Sequence, residues 1–310
     1  MEEPQEIPVV MLAGPTASGK SALAMALAED FECEIISMDS AQVYRGMDIG
    51  TAKPTAADQG RVPHHLLDIL DPGESYSAAR FRDDAQRLIR GIRSRQRIPL
   101  IVGGTMLYAR ALVEGLSDLP TARPEVRDEI SAEAQQLGWP AMHARLAEID
   151  PLIGQRIHPN DAQRIQRALE VHASTGQAPS TLQGAREGGV TGPLHRFALD
   201  VLVRSELHAR IEQRFRAMMQ AGFLEEVQRL RARGDLHLDM PAMRCVGYRQ
   251  LWQHLDGQYD LEEGVYRGIV ATRQLAKRQL TWMRGDTGLQ RLDAADPVAA
   301  LSAIKTVLTE

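Results

Sequence analysis

Over the first third of the chain, short apolar runs alternate with stretches in which apolar positions recur every three or four residues. IPVVMLA, starting at Ile7 and closed by Gly14, predicts a buried strand. KSALAMALAED, starting at Lys20, follows with helical spacing. CEIISM, closed by Asp39, predicts a second short strand, and IPLIVGG, closed by Thr105, a third. Between them AARFRDDAQRLIRGIRSRQR, from Ala78, is an amphipathic helix with a basic second half. Strands alternating with helices predict a parallel, doubly wound α/β sheet.

After Leu116 the pattern changes. SDLPTARPEV, from Ser117, is a proline-bearing connector, and from there to about Gly192 the spacing is helical, with no buried strand. STGQAPSTLQGAREGGVTG, from Ser174, is polar and glycine-rich and predicts a loop. HRFALDVLV, from His195, predicts a strand returning to the sheet, and from Ser205 the chain is mostly helical. The expected organisation is an α/β core of residues 1–118 and 196–310, interrupted by a mostly helical insertion at 119–195.

Composition narrows the function classes. A net charge of −5 gives no global nucleic-acid footprint, so any nucleic acid must meet local basic patches. An aromatic content of 5% argues against base-stacking sheets. Two cysteines, Cys33 and Cys245, make neither a disulfide framework nor a metal site and suggest a reducing compartment. MEEPQEIP at the start lacks the basic and apolar regions of a signal peptide. No apolar run approaches the roughly 20 residues of a membrane helix. The expectation is a cytoplasmic protein without a membrane partner, and nothing in the sequence demands more than a monomer.

The chemistry begins at GPTASGKS. Gly14, Pro15, Thr16, Ala17, Ser18, Gly19, Lys20 and Ser21 fit the pattern G-x-x-x-x-G-K-[ST] without a gap. The glycines let successive backbone N–H groups turn toward one anion, and the following helix adds the positive end of its dipole. Lys20 supplies a point charge and the Ser21 hydroxyl suits Mg²⁺. With a strand before and a helix after, the expected class is a P-loop NTPase-like fold. The loop specifies a polyphosphate, ATP or another, and not which one.

Two further groups close predicted strands, where open α/β sheets build their sites. Asp39, followed by Ser40, Ala41 and Gln42, is a Mg²⁺ ligand, a general base or a helix N-cap, and the residue alone does not choose. Thr105 is either a site hydroxyl or a capping one. Arg164 and Arg167 share one helix face beside Gln163 and Gln166, which suits either solvent or phosphates. In Arg244-Cys245-Val246-Gly247-Tyr248-Arg249 two arginines flank a tight backbone, Tyr248 is placed to stack, and Cys245 reads as a packing residue rather than a nucleophile. Residues 264–285 and 85–113 are locally basic; the second reads as a solvated helix face. His64 and His65 are adjacent and make a poor metal pair, and no zinc-ligand spacing occurs.

GPTASGKS, DSAQVYRGMDIGTAKP, PHHLLDI, YSAARF, IVGGTMLY, IHPNDAQRIQRALEV, RCVGYR and ATRQLAKRQLTWMR occur in that order, from about Val9 to Arg284. Together they resemble the bacterial tRNA dimethylallyltransferases, the IPP transferase family. The resemblance implies transfer of a dimethylallyl group from dimethylallyl diphosphate to N6 of the adenosine just 3′ of the anticodon, in tRNAs reading codons that begin with U. It implies a diphosphate leaving group in the P-loop, Mg²⁺ assistance, and Asp39 as base with Thr105 beside it. It implies tRNA contacts at Asp39, Ser40, Ala41, Gln42, Thr105, Arg127, Gln163, Arg164, Ile165, Gln166 and Arg167, and over Arg244–Arg249. Arg210 and Arg214 are further diphosphate candidates. The alternatives are an ATP-dependent small-molecule kinase on the same fold and a non-catalytic RNA-binding P-loop protein.

Overall fold

The computed structural model describes residues 6–117, 119, 123–182, 184 and 186–309. Parts of the acidic N-terminus, the proline-bearing connector and the glycine-rich loop lie outside the described residues. The chain divides into two compact units, Met1–Leu112 with Val190–Glu310, and Val113–Gly189. The second unit starts and ends about six residues before the insertion read from the sequence. The reason at its end is that Val190 donates its backbone N–H to Leu112 O at 2.7 Å, and Val9 donates to Pro193 O at 2.9 Å, so 190–195 belong with the sheet.

The first unit begins with β1 (Val9–Ala13), α1 (Lys20–Asp30), β2 (Cys33–Met38), α2 (Ala56–Arg61), β3 (His64–His65), α3 (Ala78–Ser94), β4 (Ile98–Gly103) and α4 (Met106–Glu114), whose last two residues already count to the second. The second contains α5 (Pro124–Leu137), α6 (Trp139–Ile149), α7 (Pro151–Arg156) and α8 (Ala162–Thr175). The first then resumes with β5 (Leu194–Asp200), α9 (Arg204–Gln220), α10 (Phe223–Ala232), α11 (Tyr248–Leu255), α12 (Leu261–Gly285), β6 (Gln290–Asp293) and α13 (Pro297–Thr309).

The strands form one sheet in the order β3-β2-β4-β1-β5-β6, with every pair parallel. The central strands are buried on both faces, which is why they read as unbroken apolar runs. On one face Leu23 and Leu27 of α1 and Ile304 of α13 pack on Val10, Leu12, Leu100 and Phe197. Phe81, Ala85, Ile89 and Ile92 form the buried stripe of α3, and Phe81 stacks on Tyr108 with ring centroids 4.5 Å apart. Phe81→Ala in such a setting costs about 3–5 kcal/mol. The sequence pattern misses β3 and β6. β3 is two histidines at a sheet edge, and β6 buries only Leu292.

The second unit has its own core of Ile130, Met142, Leu146, Ile153, Ile165 and Leu169. Among the described residues, no helix is long and apolar enough to cross a membrane.

Candidate functional site

Gly14–Ser21 runs from the carboxyl end of β1 into α1, with Ala17 at φ 62° and Gly19 at φ 91°, both left-handed. A side chain at Gly14 would press on the Ser18 hydroxyl, only 2.7 Å away. That hydroxyl is buried and has no hydrogen-bond partner. Lys20 Nζ reaches back to Pro15 O at 3.4 Å. Part of its surface stays open to the adjoining cavity, yet the ammonium is enclosed enough that burial lowers its pKa to about 8. The Asp39 carboxylate opposes that shift and Arg214 adds to it.

The ends of β2 and β4 are drawn together. A Cβ at Gly103 would overlap the Met38 carbonyl, so glycine is what permits the approach. Thr105 N–H donates to Met38 O at 3.2 Å, and Ser40 N–H donates to Thr105 Oγ1 at 3.0 Å. Asp39 Oδ1 accepts the Ala41 N–H at 2.8 Å. The half-buried Asp39 thus caps its own turn through one oxygen, and Thr105 ties that turn to the next strand end.

Thr16, Ala17, Lys20 and Ser21 of the loop line one cavity of about 740 Å³ together with Asp39, Ser40, Gly103, Gly104 and Thr105, while Gly14, Pro15, Ser18 and Gly19 shape the loop behind it. Its walls carry the cations Lys20, Lys53, Arg214, Arg244 and Arg278 against the carboxylates Asp39 and Asp58. Lys53 is already bound, 2.6 Å from Asp48 and 2.5 Å from Asp68. Burial lowers the pKa of Arg214, with Asp39 opposing. Apolar surface is present too, in Met218, Leu275 and the exposed Leu107 and Trp282. Among the described residues no three His, Cys, Asp or Glu converge as a metal cluster. The Ser21 hydroxyl and the Asp39 carboxylate on the cavity wall are the hard oxygen donors that suit Mg²⁺ in company with phosphate oxygens.

Gln279 on α12 is a site residue that the sequence reading missed. Its Oε1 accepts the Thr16 N–H at 3.0 Å, and its Nε2 donates to Gly104 O at 2.9 Å. It stitches the phosphate loop to the strand end that carries Thr105. The available signal was its register: Gln279 is a polar residue within the buried stripe of Ala276, Leu280 and Met283.

The remaining expected residues divide. Thr16, Ala17, Ser40, Ala41, Arg244, Cys245 and Val246 line the cavity. Gln42 lines it too, but its amide is engaged: Ser37 Oγ donates to Oε1 at 2.8 Å, and Nε2 donates to Thr51 O and Ala52 O, each at 3.3 Å. Burial pushes the Cys245 thiol up to about 12, with Asp39 adding to it, so it remains a thiol. Tyr248 is not free to stack. It is fully buried, and its hydroxyl donates to Glu226 Oε1 at 2.6 Å. Arg249 is exposed. Arg214 lines the cavity, whereas Arg210 pairs along its helix with Glu206.

In the second unit, Gln163 and Arg164 are exposed on α8. Ile165 is fully buried in the helical core, so its side chain has no surface to offer RNA. Arg127 donates to Glu170 at 2.8 and 3.4 Å, and Arg167 lies 3.7 Å from the same buried carboxylate. Gln166 donates to Ser131 Oγ at 2.9 Å. The basic 85–113 stretch is largely paired, Arg93 with Glu6 and Arg95 and Arg97 with Glu34, as a structural face would be. His65 also holds Glu34, at 2.7 Å.

A family model described as IPP transferase matches residues 42–286, and one described as isopentenyl transferase matches residues 7–67. The chain is similar to a tRNA dimethylallyltransferase of Bordetella petrii, 58% identical over 280 residues covering 89% of each. It is 55% identical over 310 residues to one of Burkholderia ambifaria, covering 98% of this chain and 96% of the relative. Among solved structures it resembles the full-length tRNA isopentenylpyrophosphate transferase of Bacillus halodurans, with TM-score 0.70, 37% identity and 97% of each chain covered. It also resembles a eukaryotic dimethylallyltransferase acting on tRNA, with TM-score 0.80, 28% identity and coverage of 96% of this chain and 78% of that one. A phosphate loop beside paired strand ends, and matches over most of the length, lead to one conclusion: the chain belongs to the IPP transferase family.

Proposed function

We propose that this chain transfers a dimethylallyl group from dimethylallyl diphosphate to N6 of the adenosine just 3′ of the anticodon, in tRNAs that read codons beginning with U. The observation that carries the reading is the single cavity shared by the phosphate loop, Asp39, Thr105 and an excess of cations. An anion with an apolar tail fits such a lining, since Leu107, Leu275 and Trp282 accompany the arginines.

In the reaction, the C–O bond of the allylic ester breaks and its electron pair leaves on the diphosphate. Lys20, Arg214 and the loop N–H groups stabilise that charge. The N6–C bond forms as the N6 proton passes to Asp39, whose contribution as base is roughly 10²- to 10⁴-fold. The adenine must leave the stacked loop to reach the cavity, at a cost of a few kcal/mol. Ser21 would hold Mg²⁺ together with the diphosphate oxygens, and the ion when bound supplies further charge neutralisation. A kinase has less support: β4 ends in Gly103-Gly104-Thr105 without an acid, so among the described residues Asp39 is the one strand-end carboxylate on the cavity wall, and a kinase would need it for the metal while the prenyl transfer uses it as the base. We further infer a monomer acting in the cytoplasm, in keeping with two free cysteines.

The test is an assay of purified protein with an unmodified anticodon stem-loop and dimethylallyl diphosphate, without ATP. N6-dimethylallyladenosine should form, and Asp39→Ala should lose roughly 10²- to 10⁴-fold in kcat while still binding the stem-loop. A requirement for ATP, or normal turnover by Asp39→Ala, would contradict the assignment.

A further inference from the structure

The Glu226 carboxylate is almost completely buried on α10. Its Oε2 accepts the backbone N–H groups of Asp48 and Ile49, each at 2.9 Å, and its Oε1 accepts that of Gly50 at 3.0 Å. Oε1 also accepts the Tyr248 hydroxyl, at 2.6 Å. One carboxylate therefore gathers three consecutive amides of one loop and the first side chain of α11. Burial and the neighbouring carboxylate push the Tyr248 phenol far up, so it stays a donor.

Both segments tied to Glu226 continue into the cavity wall. The loop goes on through Thr51, Ala52 and Lys53, and α11 is preceded by Arg244, Cys245 and Val246. The loop also lies flat on its support: a Cβ at Gly50 would overlap the Phe223 ring. The phosphate loop is fastened by a different residue, Gln279.

We propose that Glu226 is a positioning residue that fixes the RNA-facing wall of the cavity, coupling the Asp48–Lys53 loop to the Arg244–Tyr248 segment. This rests on the prenyl-transfer reading. Its consequence is a split: loosening Glu226 weakens use of RNA and leaves the diphosphate side intact. In Glu226→Gln the amide can accept from only one side, and its NH₂ then faces at least one backbone N–H, leaving a buried donor unpaired. Tyr248→Phe removes a single hydroxyl, keeps the ring in place and frees only the α11 link.

The experiment measures KM for the stem-loop, KM for dimethylallyl diphosphate, kcat, direct stem-loop affinity and thermal melting in wild type, both single variants and the double variant. Tyr248→Phe should raise the stem-loop KM and Kd roughly 3- to 10-fold, the scale of one buried hydrogen bond. Glu226→Gln should raise them roughly 10-fold or more, and the double variant should be no worse than Glu226→Gln alone. The diphosphate KM should stay within about twofold, because the phosphate loop is fastened by Gln279 and is untouched. Equal effects on both substrates, full additivity in the double variant, or unchanged stem-loop affinity in a folded Tyr248→Phe would overturn the proposal. Failure of the parent reading shows differently, as absence of transfer by the wild type, and the stem-loop affinities still decide the role of Glu226.

Discussion

Arg214, Arg244 and Arg278 line the cavity with no carboxylate in ion-pairing range among the described residues, whereas Arg127 and Arg167 in the helical insertion share the buried Glu170. Both sets look alike as residue types near motifs. They differ in what neutralises them. Arg127 and Arg167 satisfy a carboxylate that could not otherwise stay buried. Of the cavity arginines, Arg244 and Arg278 are exposed to solvent, and half-buried Arg214 is the one whose charge the protein leaves least balanced. Where a side chain finds its counter-charge, inside the protein or in what the protein binds, separates a structural arginine from a working one.

Arg214→Ala tests the cavity side hardest. Removing one charge-stabilising donor from an enclosed site should cost roughly 10²- to 10³-fold in kcat, with folding preserved and Arg214→Lys recovering part of the rate. An unchanged kcat would place the working charge elsewhere. The insertion side is tested by Arg127→Ala. It leaves Glu170 under-compensated and, discounted for the half-exposed guanidinium, should lower stability by about 1–3 kcal/mol in thermal melts. Adding Glu170→Gln should restore much of that loss; if melting is unaffected and RNA affinity falls instead, Arg127 belongs with the working set.

The smallest effect is a pH dependence. The Lys20 ammonium, with a pKa lowered to about 8, is charged below that pH and lost above it. In the free enzyme, kcat/KM for dimethylallyl diphosphate should therefore fall as pH rises through about 8, by at most tenfold per unit. Lys20→Arg, charged throughout, should flatten that limb. Arg214→Ala should shift it upward, because Arg214 adds to the lowering that burial begins.

Local signals carried much of the fold and part of the site. β1, β2 and β4 were legible because central parallel strands are buried on both faces, and β5 through its apolar run Phe197–Leu199. β3 and β6 were not, because edge strands are short and half polar. GPTASGKS, Asp39 and Thr105 are contiguous with strand ends, so their neighbourhood could be read from the chain. Gln279 reaches Thr16 from 263 residues away, and no spacing rule reports such a contact. Ile165 and Tyr248 sit inside the motifs read as RNA-facing but face inward. A motif gives the neighbourhood of a residue, and its direction depends on the helix register and on what packs against it.

Because the Gly103 backbone lies directly against Met38, the spacing between the acid-bearing turn and the threonine-bearing one is set by main chain rather than by replaceable side chains. Substitutions elsewhere around the chamber can reshape which guest is admitted while Asp39 and Thr105 keep their separation, so on the proposed chemistry selectivity can drift without dismantling the pair.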